Sequence, residues 1–131
     1  MMMPPLLTTL TLAAVASTSI SALQWERRVL IVSAPSEQDA SLRQQRLIMA
    51  RWRAAAKDRD LHLVEIIGNT VVGVSDTSAT LRTRYDVPRD RFAVVLIGKD
   101  GGTKLRQTRP IAAATLEETI DAMPMRRREV R

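Results

Sequence analysis

The chain has 131 residues, with 20 Lys and Arg against 14 Asp and Glu, a formal charge of +6 at pH 7 and no cysteine. Without a thiol there is no disulfide, no thiolate nucleophile, no iron–sulfur cluster and no Cys-ligated zinc, so thiol redox chemistry is excluded and the fold must be held by packing. One histidine, His62, and no EF-hand-like loop give no metal set, and no cofactor is expected. All but three of the basic residues (Lys57, Lys99, Lys104) are arginine, a side chain suited to phosphate and carboxylate, although charge alone speaks of association rather than catalysis.

The first 25 residues carry no charge, and the charged chain begins abruptly at Glu26. Leu6 to Ala22 is an apolar run interrupted by seven Ser and Thr, with small-residue pairs Ala14/Ala16 and Ser19/Ser21. This is the pattern of a secretory signal peptide over 1–22, with a mature chain starting near Leu23 and export to the periplasm or the extracellular space. No Lys or Arg precedes the run, and the alternative is an uncleaved anchor. The hydroxyl residues weaken a spanning helix, and no later segment has the roughly 20 apolar residues needed. One domain over 23–124 and a basic tail over 125–131 follow.

Arg28–Ser33 is a short β-branched apolar run and reads as a buried parallel strand, closed by Ala34-Pro35-Ser36. Asp39 or Ser36 can cap the next helix, Ser41–Asp58, in which Met49, Trp52 and Ala56 share one face flanked by Ile48 and Ala55. Leu61–Ile67 is a second strand and Val71–Ser75 a connector. Ser78–Tyr85 is a short helix ended by Val87-Pro88. Phe92–Ile97 is the most apolar strand, and Gly98–Gly102 turns it back into Thr103–Arg106. Thr115-Leu116-Glu117-Glu118 has the form of a capping box, opening a last helix that stops at Pro124. The order β-α-β-α-β-β-α predicts an α/β fold: a four-stranded mixed sheet with helices on both faces and a right-handed βαβ crossover, the order of a minimal thioredoxin-like domain.

The stretches RVLIVSAPS, LRTRYDV, FAVVLIGKDGGTKLR and IDAMPMR resemble a domain-of-unknown-function family of small exported bacterial proteins with a thioredoxin-like fold. A related domain occurs in animal sushi-repeat-containing and equarin-type extracellular proteins. The resemblance implies that fold and an exported setting. It brings no established catalytic residues.

Two clusters are candidate binding sites. The loop after the first strand carries Ser33, Ser36, Glu37 and Asp39 where a thioredoxin would place its cysteines. A serine nucleophile there needs a base, and only His62, on the second strand, is available; the plainer role is to satisfy a helix N-terminus, and a small anion is a further alternative. No proline stands just before the third strand, since Pro88 is separated from Phe92 by three residues. Arg126, Arg127 and Arg128, with Arg131, form a basic run for an anionic surface. Gly98-Lys99-Asp100-Gly101-Gly102 lacks phosphate-loop spacing and is a turn. Nucleic acid is not an expected partner, because Trp25, Trp52, Tyr85 and Phe92 are the only residues able to stack on bases, and Trp52 and Phe92 read as core. The composite reading is a non-catalytic binding or interaction module of the cell envelope, its partner an envelope protein or an anionic surface. The alternatives are an electrostatic binder acting through the arginine tail, or an enzyme using the Ser36/Glu37/Asp39 loop.

Overall fold

The computed structural model describes residues 18–130. In chain order it contains α1 (Ile20–Leu23), β1 (Arg28–Ala34), α2 (Ala40–Arg51), α3 (Arg53–Asp58), β2 (Leu61–Ile67), β3 (Thr70–Val72), α4 (Ser78–Tyr85), β4 (Ala93–Ile97), β5 (Thr103–Gln107), α5 (Ala113–Asp121) and α6 (Pro124–Glu129). The sheet order is β3-β2-β1-β4-β5. β1 and β2 are parallel, in register from Arg28↔Leu61 to Ala34↔Ile67, and the other pairings are antiparallel. The expected βαβ unit and terminal hairpin are both present.

Strand alternation divides the core into two layers. Leu30, Val32, Val94 and Leu96 face α2, α3 and α5, meeting Leu42, Met49, Trp52, Leu116 and Ile120. Val29, Ile31, Val64, Ile66, Val95 and Ile97 face the other way, onto Ile20, Leu81 and Tyr85 of α1 and α4. β1 and β4 are buried along their whole length because helices cover both faces, which is why they read as unbroken apolar runs. Gln45 joins the helix layer to the chain ahead of α5: its amide nitrogen donates to the Ile111 carbonyl (3.1 Å) and its carbonyl accepts from the Ile111 N–H (2.7 Å), all buried.

Four local expectations are corrected. The sheet has five strands, because Gly68, at φ 59°, makes a two-residue Gly68-Asn69 turn that folds β3 back onto β2 where a connector was expected. The long helix is interrupted at Trp52, whose backbone (φ −101°, ψ 13°) leaves the helical region while its ring stays buried. The capping box at Thr115 is not used: α5 starts earlier, at Ala113, and the Thr115 carbonyl instead accepts a bond from the Thr119 hydroxyl. Residues 124–129 form a helix with Pro124 in its first turn, where the missing N–H costs nothing, rather than a loose tail.

The boundary expected at Leu23 also moves. Ile20 is buried in the second core layer, its N–H donates to Asp76 Oδ1 (2.7 Å), and the Ser75 N–H donates to the Thr18 carbonyl (2.9 Å). Thr18–Leu23 therefore belongs to the folded body. The rest of the expected leader, residues 1–17, lies outside the described residues. No described helix is long and apolar enough to cross a membrane.

Candidate binding site

The loop after β1 is chemically quiet. Ser33 is buried and its hydroxyl accepts from Arg82 (2.9 Å). Ser36 is exposed, and its carbonyl accepts from the Asp39 N–H (3.3 Å). Asp39 caps α2 by accepting from the Leu42 N–H (3.0 Å), so the cap is Asp39 and not Ser36. Glu37 is bonded to Arg46, whose guanidinium holds its carboxyl below the ordinary carboxylate value. His62 pairs with Val29 at the start of β1, four residues before Ser33, about 13 Å away along the strand. Its Nε2 lies 2.7 Å from the Gly73 carbonyl. Among the described residues no histidine or carboxylate is hydrogen-bonded to the Ser33 or Ser36 hydroxyl, so the expected Ser–His pairing is not formed.

Arg82 organises this end of the sheet without a carboxylate. Besides Ser33 it donates to the carbonyls of Pro88 (2.5 Å) and Gly68 (2.9 Å). Burial, with repulsion from Arg89, lowers its pKa from the usual arginine value. Two backbone turns and the Ser33 hydroxyl on β1 are tied together by one cation, and the sequence carries no local sign of it.

The basic run at the C-terminus divides. Arg126 is buried, donating to the Asp58 carboxylate (2.7 Å) and carbonyl (3.1 Å) and to Asp121 (3.2 Å). Arg127 and Arg128 are exposed on α6. The helix is held down at Glu129, which takes two bonds from the fully buried Arg28 (3.1 and 3.2 Å) and one from Lys99 (2.8 Å). Burial pushes the Glu129 carboxyl up, but the bonds from Arg28 and Lys99 outweigh it and leave it below its usual value. The expected triple-arginine surface is thus reduced to two exposed side chains, because the first arginine is spent inside the fold.

A groove of about 320 Å³ opens where α2 and α3 pass over β2. Met49, Ala56, Leu61 and Leu63 form its apolar floor and Ala50 part of its wall. Ala50 and Ala56 are too short to cover the strand, and Leu63 remains 37% exposed. Arg27, Arg46, Arg53 and Lys57 stand around it, with no acidic residue in the lining. Arg46 is engaged by Glu65 (2.7 Å) and Glu37 (2.9 Å). Arg27, Arg53 and Lys57 form no ion pair among the described residues. None of these groove residues was a sequence-level candidate. The available signal was the stretch from Ala40 to Lys57, which carries five basic residues and no acidic one.

Residues 19–129 match the family described as "Domain of unknown function (DUF4174)". The chain belongs to this family. A curated relative, Coiled-coil domain-containing protein 80 of Danio rerio, is 23% identical over 133 residues, which cover 85% of this chain and 15% of that protein. The DUF4174 chain therefore spans only a small part of that relative's length. Among solved structures, the reduced 2-Cys peroxiredoxin of Plasmodium vivax superposes with a TM-score of 0.62 at 12% identity, covering 83% of this chain and 84% of the other. The DUF4174 fold is accordingly thioredoxin-like. At that identity the likeness speaks for architecture alone, and this chain has no cysteine with which to repeat a peroxiredoxin's chemistry.

Within the DUF4174 domain, the thioredoxin-type position and the groove lie at different places on the β1–β2 pair. The first is at the end of β1, around Ser33 and Ser36, with its charged side chains already paired. The second lies toward the start of β2, around Leu61 and Leu63, where Arg27, Arg53 and Lys57 form no ion pair among the described residues. His62, between those two leucines, points to the opposite face of the sheet, as alternation requires.

Proposed function

We propose that this DUF4174 domain is a non-catalytic binding module of the cell envelope whose contact surface is the cationic groove between α2, α3 and β2. The observation that carries the reading is the meeting over an apolar floor of Arg27, Arg53 and Lys57, three cations with no ion pair among the described residues. Burial of apolar surface supplies affinity and a few placed charges supply orientation, which is the usual division of labour in a small binding site. The loop around Ser36 offers neither a concave apolar surface nor an unengaged acid or base.

Export is part of the proposal. Ala14-Val15-Ala16 has the small-x-small form read by signal peptidase, and cleavage after Ala16 would leave Thr18 and Ile20 in the folded body. N-terminal sequencing of protein recovered from outside the cytoplasm is expected to begin at Ser17. A start at Leu23 would contradict the placement.

The contact surface is tested by photo-crosslinking in intact cells, with a benzophenone amino acid placed at Ala50, Ser36 or Arg128 in turn. A discrete product is expected from position 50 only, and its loss is expected when Arg53→Gln and Lys57→Gln are added. Products from position 36 or 128 with none from 50 would overturn the reading.

A further inference from the structure

Resting on the binding-module reading, we infer that the groove takes a single-chain anionic amphiphile, with its carboxylate or phosphate head between Arg27, Arg53 and Lys57 and its aliphatic body on Leu61, Leu63 and Met49.

Charge sets the head. Arg53 and Lys57 stand four residues apart on α3, so they are neighbours on one side of the helix and repel each other. With no carboxylate among the described residues of the lining, an anion of the ligand relieves that repulsion. Arg27 joins them because it precedes β1, whose first residue, Arg28, pairs with Leu61 on the groove floor.

The floor sets the body. Met49, Ala56, Leu61 and Leu63 present no side-chain donor and, beyond the weak thioether of Met49, no acceptor, so the part of the ligand lying on them is apolar. A bare inorganic anion would leave this floor in water. A helical segment would need a longer apolar strip, whereas about 320 Å³ lies at the low end of the roughly 300–1,000 Å³ usual for small molecules.

The orientation follows from the far end. Arg46 is shared between Glu37 and Glu65, and the three together carry a net negative charge. They lie toward the end of β2, with Glu65 four residues beyond Leu61, about 13 Å along the strand. An anionic head is repelled there and attracted at the Leu61 end, so the chain runs from Leu61 past Leu63 toward Arg46.

The test uses the chain from Ser17 with labelled methyl groups, titrated with decanoate and decyl phosphate below their micelle concentrations. Decyl maltoside supplies the same tail with an uncharged head, and acetate and inorganic phosphate supply the heads alone. Saturable shifts of the Met49, Leu61 and Leu63 methyls are expected with decanoate, decyl phosphate or both, and the preferred head distinguishes carboxylate from phosphate. The three controls are expected to bind at least about tenfold more weakly. Arg53→Gln with Lys57→Gln, and separately Leu63→Ser, are each expected to weaken binding by about tenfold with the urea midpoint unchanged. Equal binding of decyl maltoside would overturn the proposal, as would an acidic peptide moving these methyls while decanoate and decyl phosphate do not. Sedimentation with phosphatidylglycerol/phosphatidylcholine vesicles while the groove methyls stay still would overturn it in favour of a bilayer-surface contact. If neither anionic amphiphile moves a groove methyl but crosslinking from position 50 persists, the ligand class falls and the binding module stands.

Discussion

Replacing Glu129 by alanine asks whether α6 belongs to the fold. Arg28 is fully buried, whereas the Glu129 side chain is one-quarter exposed. Removing one member of a buried ion pair typically costs about 3–5 kcal/mol, because the other charge is left uncompensated. Here Arg28 keeps its bond to the Arg59 carbonyl (2.7 Å), Lys99 keeps Asp60 (2.9 Å), and water reaches the glutamate position. The expected loss is therefore about 2–3 kcal/mol, a large share of the roughly 5–15 kcal/mol that a domain possesses. In a domain of this size it lowers Tm by roughly 10 °C. Urea unfolding followed by tryptophan fluorescence reads the change as a shift in midpoint at constant slope. The paired change Arg28→Met with Glu129→Leu is expected to recover most of the loss, since the buried charge is removed with its partner. A cost for Glu129→Ala below about 0.5 kcal/mol, the scale of an exposed ion pair, would refute the reasoning and return α6 to the status of a tail.

Ile20→Ala is expected to destabilise by about 2 kcal/mol, near the low end for a buried isoleucine because α1 lies at the edge of its core layer; an unchanged urea midpoint would detach α1 from the fold. Gln45→Leu leaves the buried N–H and C=O of Ile111 without partners, and a loss of about 2–4 kcal/mol is expected in the same assay. Acid stability follows the depressed carboxyls. Glu129 and Asp121 (held down by Arg59, then Arg126) lie below their ordinary 4.5 and 3.8, so their contribution is complete above about pH 4.5 and is lost as pH falls through the folded values. Burial pulls the Lys99 ammonium down, but the bonds it donates to Glu129 and Asp60 outweigh it and leave it above its ordinary 10.5, so its contribution is complete below about pH 10.5 and is lost as pH rises further. Urea midpoints measured across pH are expected to fall at both ends, and Glu129→Gln is expected to make the acid limb shallower; an unaltered limb would show that Glu129 does not carry it.

The fold was legible where its signal is local. β1 and β4 are continuous apolar runs, the face carrying Met49, Trp52 and Ala56 follows helical spacing, and Gly98–Gly102 is a turn by composition, so element order and the parallel crossover follow from pattern and handedness. The Gly-Asn pair at 68–69 signalled the fifth strand as well, but three residues are too short for alternation to show. The absence of thiol chemistry required no fold at all, only composition. The tertiary structure alone decided what the arginines do. Arg28 and Glu129 are 101 residues apart in sequence and bonded in space, Arg82 reaches Ser33 across 49, and Arg126 reaches Asp58 across 68. Sequence pattern records whether a side chain prefers water, and an arginine prefers it whether or not a distant carboxylate or carbonyl later takes water's place. The same limit hid the groove. Its floor joins two core residues, Met49 and Ala56, to the less buried Leu61 and Leu63, and its hollow exists because short alanines on α2 and α3 line it beside Leu63, a juxtaposition that only the packing of those helices on β2 creates.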